Sequence, residues 1–443
     1  MKHKGMLCTL GLLLAATTGT ANAADQTWEV KGKIQFFDTM TRDDGKNINK
    51  PLAGCTVEIH GANVGRIYDS WGKVFTDSAG NFSIRKSKSK SKRHFKVRVR
   101  FEDRDNMLSV NTPLLGGGLA SDWYQVFETD NTTDGPTVNI GTKTFTSSAK
   151  GDLGVSDNIK RAHMFYWVKT VMDALKNKGG GIQFTKAVNV AYPANVISGQ
   201  SYANGVTRTV YIHRNSKSDH GNVDTVLHEV MHLWNYQHNT GTSNWLQAVM
   251  SGKSTHEFQE KAAIAFHEGF AEWAMGALMS EFFGRGPVLP SNRFSLARNG
   301  LNSFETLERS DDGVVQGLHL LITPQIWAYK FGTSAKQIST TETGHESFTA
   351  AAKGSQPPGM PAVPSVTLFD VLKVFLAGQH SNWPTAWQVG TADNGLNVFF
   401  KRASDILPNL DSTHRAMMVE MLTASLTKEP KDFLPNATSS TSR

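Results

Sequence analysis

His228-Glu229-Val230-Met231-His232 sets two imidazoles four residues apart, with a carboxylate beside the first. On a helix that spacing stacks both rings on one face, one turn apart, so they can converge on a single metal ion. Glu229 falls one position off that axis. There it can reach the water that fills an open coordination position, where a general base must sit for metal-assisted hydrolysis. The competing reading of the same pentapeptide is a pair of satisfied or surface histidines.

A catalytic zinc takes three protein ligands and one water, so the two histidines need a partner from elsewhere in the chain. Glu268 is the candidate. It lies in Lys261 to Ala274, an Ala-rich apolar run that reads as a buried helix with few charges, among them His267, Glu268 and Glu272. A carboxylate taken out of water is costly unless something compensates it, and coordination to a divalent ion would do so. Glu272 is one turn further along the same face, placed to accept the free ring N–H of a zinc-bound imidazole.

Both metal-site segments must be helical for this chemistry. Asp219 to Asn222 is a polar, Gly-containing stretch suited to starting a helix, and Leu227, Val230, Met231 and Trp234 then repeat at the spacing of a buried stripe. The stretch Asn239 to Glu260 between the two segments is polar and rich in Gly, Ser and Thr, and reads as a surface loop.

The two motifs together resemble the gluzincin class of zinc metallopeptidases, in which a Glu on a second helix completes an HExxH site. The resemblance implies that His228, His232 and Glu268 bind Zn2+, that Glu229 is general base and then proton shuttle, and that Glu272 orients a ligand histidine. Glu268-Gly269-Phe270-Ala271 is similar to the third-ligand segment of the aminopeptidase branch. The chain departs from that branch in lacking a Gly-Ala-Met-Glu-Asn signature and in the 35 residues between His232 and Glu268. Metallopeptidase chemistry also needs a donor for the oxyanion. His319, in a segment resembling the downstream histidine of thermolysin-like enzymes, and Tyr329 are the candidates, and either could instead belong to a core helix.

Upstream, Thr207 to His213 reads as a strand. In zincin-like folds such a strand is the edge on which an extended peptide binds; an ordinary core strand fits the residues equally well. Asn158 to Lys176 reads as a helix closed by Gly179-Gly180-Gly181, with His163 on its apolar side as a buried structural histidine. Lys2 and Lys4, an apolar stretch around Leu7 to Ala16 and Ala21-Asn22-Ala23 read as a signal peptide over 1–23, cleaved near Ala23, so an exported, periplasmic or secreted protein is expected. No other segment is long and apolar enough for a membrane span. Cleavage would remove Cys8 and leave Cys55 without an intrachain disulfide partner.

From Thr27 to about Thr146 short alternating runs separated by Gly, Asp, Asn and Ser read as an all-β sandwich. Pro51 to Val57 and Thr76 to Ile84, with the Asp77 to Gly80 turn, resemble the carboxypeptidase-regulatory or transthyretin-like family, which implies a non-catalytic accessory domain. Arg85 to Arg100 holds nine basic residues. Alternation puts Lys96, Arg98 and Arg100 on the solvent side, which reads either as a solvated hairpin protecting an edge strand or as a patch for an anionic surface, in keeping with a net charge of +7 and a pI near 9.2. Val366 to Ala377 and Ser412 to Leu426 read as helices, and Ser355 to Pro364 as a surface loop.

The expected architecture is multidomain: a signal peptide (1–23), a β-sandwich accessory domain (24–148), an α+β, mostly helical zincin-like catalytic domain (149–435) and a disordered tail (436–443). The expected activity is zinc-dependent hydrolysis of a peptide or protein substrate. Two other readings stay open at this point: a zinc-containing binding or adhesion protein without turnover, and a zinc hydrolase of a non-peptide bond. The presence of Glu229 favours an enzyme, because a structural zinc site closes its fourth position and needs no base.

Overall fold

The computed structural model describes residues 25–38, 48–63, 67–89, 93–113, 119–120, 123–129, 135–146, 156–194, 201–213, 223–238, 262–283, 366–380 and a few positions between 314 and 407. The segments read as signal peptide, C-terminal helix at Ser412 to Leu426, loop at Ser355 to Pro364 and tail all lie outside them. Among the described residues three sheets and four helices longer than ten residues form a β-rich structure with one continuous apolar core. No helix of these residues is long and apolar enough to cross a membrane.

Two sheets come from the first third of the chain. In one, β1 (Asp25–Asp38) pairs with β10 (Thr137–Phe145) on one side, and on the other with β5 (Asn81–Ser89) along its first half and β2 (Ile48–Pro51) along its second. In the other the order is β4 (Tyr68–Phe75), β3 (Thr56–Ala62), β6 (His94–Arg100), β9 (Tyr124–Glu128). Strand side chains alternate, so Trp28, Val30, Ile34 and Phe36 of β1 and Phe95, Val97 and Val99 of β6 all turn inward, and Trp28 meets Phe95 with ring centroids 5.6 Å apart. The Asp77 to Gly80 turn carries the chain from β4 to β5, that is, from one sheet to the other. Asp77 Oδ1 accepts the N–H groups of Ala79 and Asn81, and Gly80 takes φ +80° where a Cβ would lie 2.3 Å from the Ile34 carbonyl oxygen.

β5 and β6 do not form a hairpin with each other. They lie in different sheets, which corrects the reading of Arg85 to Arg100 as one hairpin, and β6 is flanked by β3 and β9 and is not an edge. Two of its outward cations are engaged. Lys96 pairs with Glu128 at 3.6 Å and lies over the Tyr68 ring; Arg100 pairs with Glu102 at 2.8 Å and lies over the Trp123 ring.

The third sheet has the order β12 (Tyr202–Asn204), β13 (Thr209–His213), β11 (Val188–Ala194), β7 (Leu108–Pro113), β8 (Leu119–Ala120). β11 is parallel to both β13 and β7, and its Val188, Val190, Ala191, Tyr192 and Ala194 are buried, the near-continuous apolar run a covered parallel strand needs. β7 and β8 come from the stretch read as sandwich. After them the chain returns to lay down β9 and β10 in the first two sheets.

α1 (Ser156–Lys178) packs on β7, β11 and β1 with Phe165, Trp167, Val168 and Val171 buried, and ends at Gly179 to Gly181, all with positive φ. His163 is buried there as a structural residue: its Nδ1 is 2.7 Å from the Ile159 carbonyl and its Nε2 3.3 Å from Asp38 Oδ1. The alternation of β1 forces Asp38 inward, and Lys50 of β2 closes on its other oxygen at 2.9 Å. α2 (Val223–His238), α3 (Ala262–Phe283) and α4 (Leu368–His380) complete the described helices. α4 opens on a reciprocal cap in which Thr367 N–H donates to Asp370 and Asp370 N–H donates to Thr367 Oγ1.

Candidate metal centre

α2 is positioned from three sides. Its Val226, Leu227, Val230 and Leu233 are buried; Trp234 Nε1 donates to the Ile182 carbonyl at 2.7 Å, and Gln237 Oε1 accepts the N–H groups of Thr185 and Lys186. The β12–β13 hairpin rests on it at Tyr236, so tightly that a Cβ on Gly205 would lie 2.3 Å from that ring. α3 packs along α2, with Phe270 against Trp234 at 5.7 Å between centroids, and α4 adds Phe375, 4.7 Å from Phe270. Burying these aromatics fixes how far apart the two helices lie.

That packing brings His228 and His232 of α2 together with Glu268 of α3. The two Nε2 atoms are 3.0 Å apart, and Glu268 Oε2 is 3.6 Å from His228 Nε2 and 3.3 Å from His232 Nε2. Donors held by one tetrahedral zinc, at its usual bond lengths to nitrogen and oxygen, stand about 3.3 Å apart. The three side chains therefore fit a zinc-sized divalent ion, and they form a group able to hold a metal. Glu229 follows His228 on α2 and is buried.

The electrostatics suit a cation. Burial alone would raise the Glu268 carboxyl, but His232 and His228 facing it outweigh that and hold it well below the usual carboxylate range. Burial, reinforced by His232 and His228 and opposed by Glu268, pushes the neighbouring His267 well below 6.5. Of these two groups only Glu268 belongs to the candidate ligand set, and a lowered carboxyl suits it to that part, because metal binding requires ligands that have shed their protons. Cys55 takes no part: it is fully buried in the β-sheet core, and burial pushes its thiol up to about 12.

Glu272 lies one turn beyond Glu268, half-buried. It does not take the Nδ1 of His232, which is buried with no hydrogen-bond partner among the described residues. Besides His228, the ring in contact with His232 is His267, 4.2 Å away between centroids, whose Nδ1 is 2.8 Å from Asn235 Nδ2. Neither Asn235 nor His267 carries a role in the sequence reading. The signal was present in the spacing, since Asn235 follows His228 and His232 on the same side of α2 and His267 directly precedes Glu268. His319 and Tyr329 lie outside the described residues. Of the two readings of the strand at Thr207 to His213, the edge is not what the structure has: β13 lies between β12, which pairs antiparallel with it through Tyr202 to Asn204, and β11.

No family model and no curated relative matches the chain. Among solved structures, a 9R-lipoxygenase from Cyanothece PCC8801 is similar at 22% identity over 34% of this chain, which spans only 24% of the lipoxygenase, with a TM-score of 0.17. The major plantain pollen allergen Pla l 1 is similar at 16% identity over 29% of this chain and 97% of the allergen, also with a TM-score of 0.17. At those TM-scores neither likeness bears on fold or function.

Proposed function

We propose that the chain is an exported, zinc-dependent peptidase of the gluzincin type. In this reading the two sheets of the first third are an accessory β-sandwich, and the helices with the third sheet are a zincin-like catalytic unit. The observation that carries it is the convergence of His228, His232 and Glu268 at zinc-ligand spacing, with a buried carboxylate, Glu229, next to the first histidine. A zinc ion bound there would act as a Lewis acid on a substrate carbonyl and lower the pKa of a bound water.

The residues of the chain divide the remaining work. His228 and His232 would supply nitrogen donors and Glu268 a carboxylate oxygen, the two-imidazole, one-carboxylate set a catalytic zinc takes. Glu229 takes a proton from the attacking water and passes it to the leaving amine, a transfer its place beside His228 suits. Within the basic cluster Arg85, Lys96 and Arg100 are paired with carboxylates, and a role toward an anionic partner is no part of this proposal.

Replacing Glu229 by Gln keeps the shape of the site and removes the base. The variant is expected to bind zinc as the wild type does while losing hydrolysis of a broad peptide panel by at least about 100-fold. Equal activity of the two proteins would contradict the assignment, and equal inertness on peptides, amides and esters alike would leave a metal-binding protein without turnover.

A further inference from the structure

We infer that Asn235 and His267 are positioning residues that set the orientation of His232 and thereby the affinity of the site for its metal. The inference rests on the zinc-peptidase reading for the identity of the ion, and on the packing of α2 against α3 for its geometry.

His267 is 2% exposed and Asn235 is fully buried. A polar pair so placed between two helices must be hydrogen-bonded or it destabilises the fold, and the Asn235 amide meets the His267 ring at 2.8 Å. This contact differs in kind from the rest of the interface. Trp234, Phe270 and Phe375 hold the helices at a distance by dispersion and burial, which tolerates sliding, whereas a single amide-to-imidazole hydrogen bond fixes their relative register and rotation.

The fixed ring then bears on the ligand. His267 lies along His232, centroids 4.2 Å apart and planes 34° from parallel. His232 Nδ1 has no hydrogen-bond partner among the described residues, so on this side the ring's orientation is set by the face contact with His267, in place of the hydrogen bond to the second ring nitrogen that commonly orients metal-bound histidines. Because His267 is the residue immediately before Glu268, the same hydrogen bond that orients it also anchors the turn of α3 from which the carboxylate ligand projects. One buried pair thus governs two of the three ligands.

The test is zinc affinity of the full chain, measured by competition with a chromophoric chelator, alongside the absorption spectrum of the cobalt-substituted protein. Asn235→Ala and His267→Phe are expected to weaken zinc binding by roughly 10- to 100-fold and to alter the cobalt spectrum. His267→Gln, which keeps an amide able to bond Asn235, is expected to recover most of the affinity; it also serves if the other two variants fold poorly. Affinities within twofold of wild type for folded Asn235→Ala and His267→Phe, with an unchanged cobalt spectrum, would overturn the positioning role while leaving the peptidase reading intact. Wild-type protein that fails to bind zinc at all would overturn both.

Discussion

The lone carboxylate of the group His228, His232 and Glu268 is held ionised by its neighbours, and the His267 imidazole beside it is held neutral by burial; both conditions come from side-chain placement. His267 gives this a measurable consequence. Its folded pKa lies well below 6.5, so between those two values the unfolded chain binds a proton that the folded chain does not. Stability from this group is therefore complete above about pH 6.5 and is lost as pH falls from there toward the folded value. With metal removed, the urea midpoint of the wild type is expected to fall more steeply between pH 7 and pH 5 than that of His267→Gln. Parallel slopes would mean that the buried imidazole is not the group responsible. At this scale the sequence was legible where spacing alone decides chemistry, as for His228 and His232. It was not legible for the Asn235 and His267 contact, which depends on how two helices separated by a long intervening stretch come to lie against each other.

Strands and helices here are tied by a few buried polar contacts as well as by the apolar core. Asp38 at the end of β1 joins three elements, accepting from Lys50 of β2 and facing His163 of α1, and it has no solvent exposure. Removing one member of such a group strands the others in the interior. Asp38→Asn is expected to cost about 3–5 kcal/mol in chemical denaturation, far more than a surface pair would; a loss below about 1 kcal/mol would show that the group is not held as a charged cluster. The strands that alternate cleanly, β1, β3 and β6, and the helices α1, α2 and α4 could be read from the chain. β7 and β11 could not be assigned, because a short parallel strand is specified by the partners that cover it, and those partners are 80 residues apart in Ser109 and Asn189. The short β12 that covers β13 has only three residues and no pattern of its own.

The molecule as a whole is more interleaved than a sandwich followed by a catalytic unit. β7 and β8 leave the first two sheets to complete the third, β9 and β10 return, and one apolar core runs from Trp28 to Phe375. A fragment covering residues 149–443 would deprive β11 of one of its two parallel partners, β7, and α1 of its contacts with β7 and β1. It is expected to be insoluble or unfolded by circular dichroism, whereas a cooperatively folded fragment would show that the sheet carrying α2 is independent of the first third. The proposed function stands on a zinc ion held by His228, His232 and Glu268. Elemental analysis of the purified full chain after exhaustive dialysis against buffer with trace zinc tests it most directly. One zinc per chain is expected in the wild type, with His232→Ala and Glu268→Ala each holding far less. A wild type that retains no stoichiometric zinc, or an equal zinc content in all three proteins, would contradict the account.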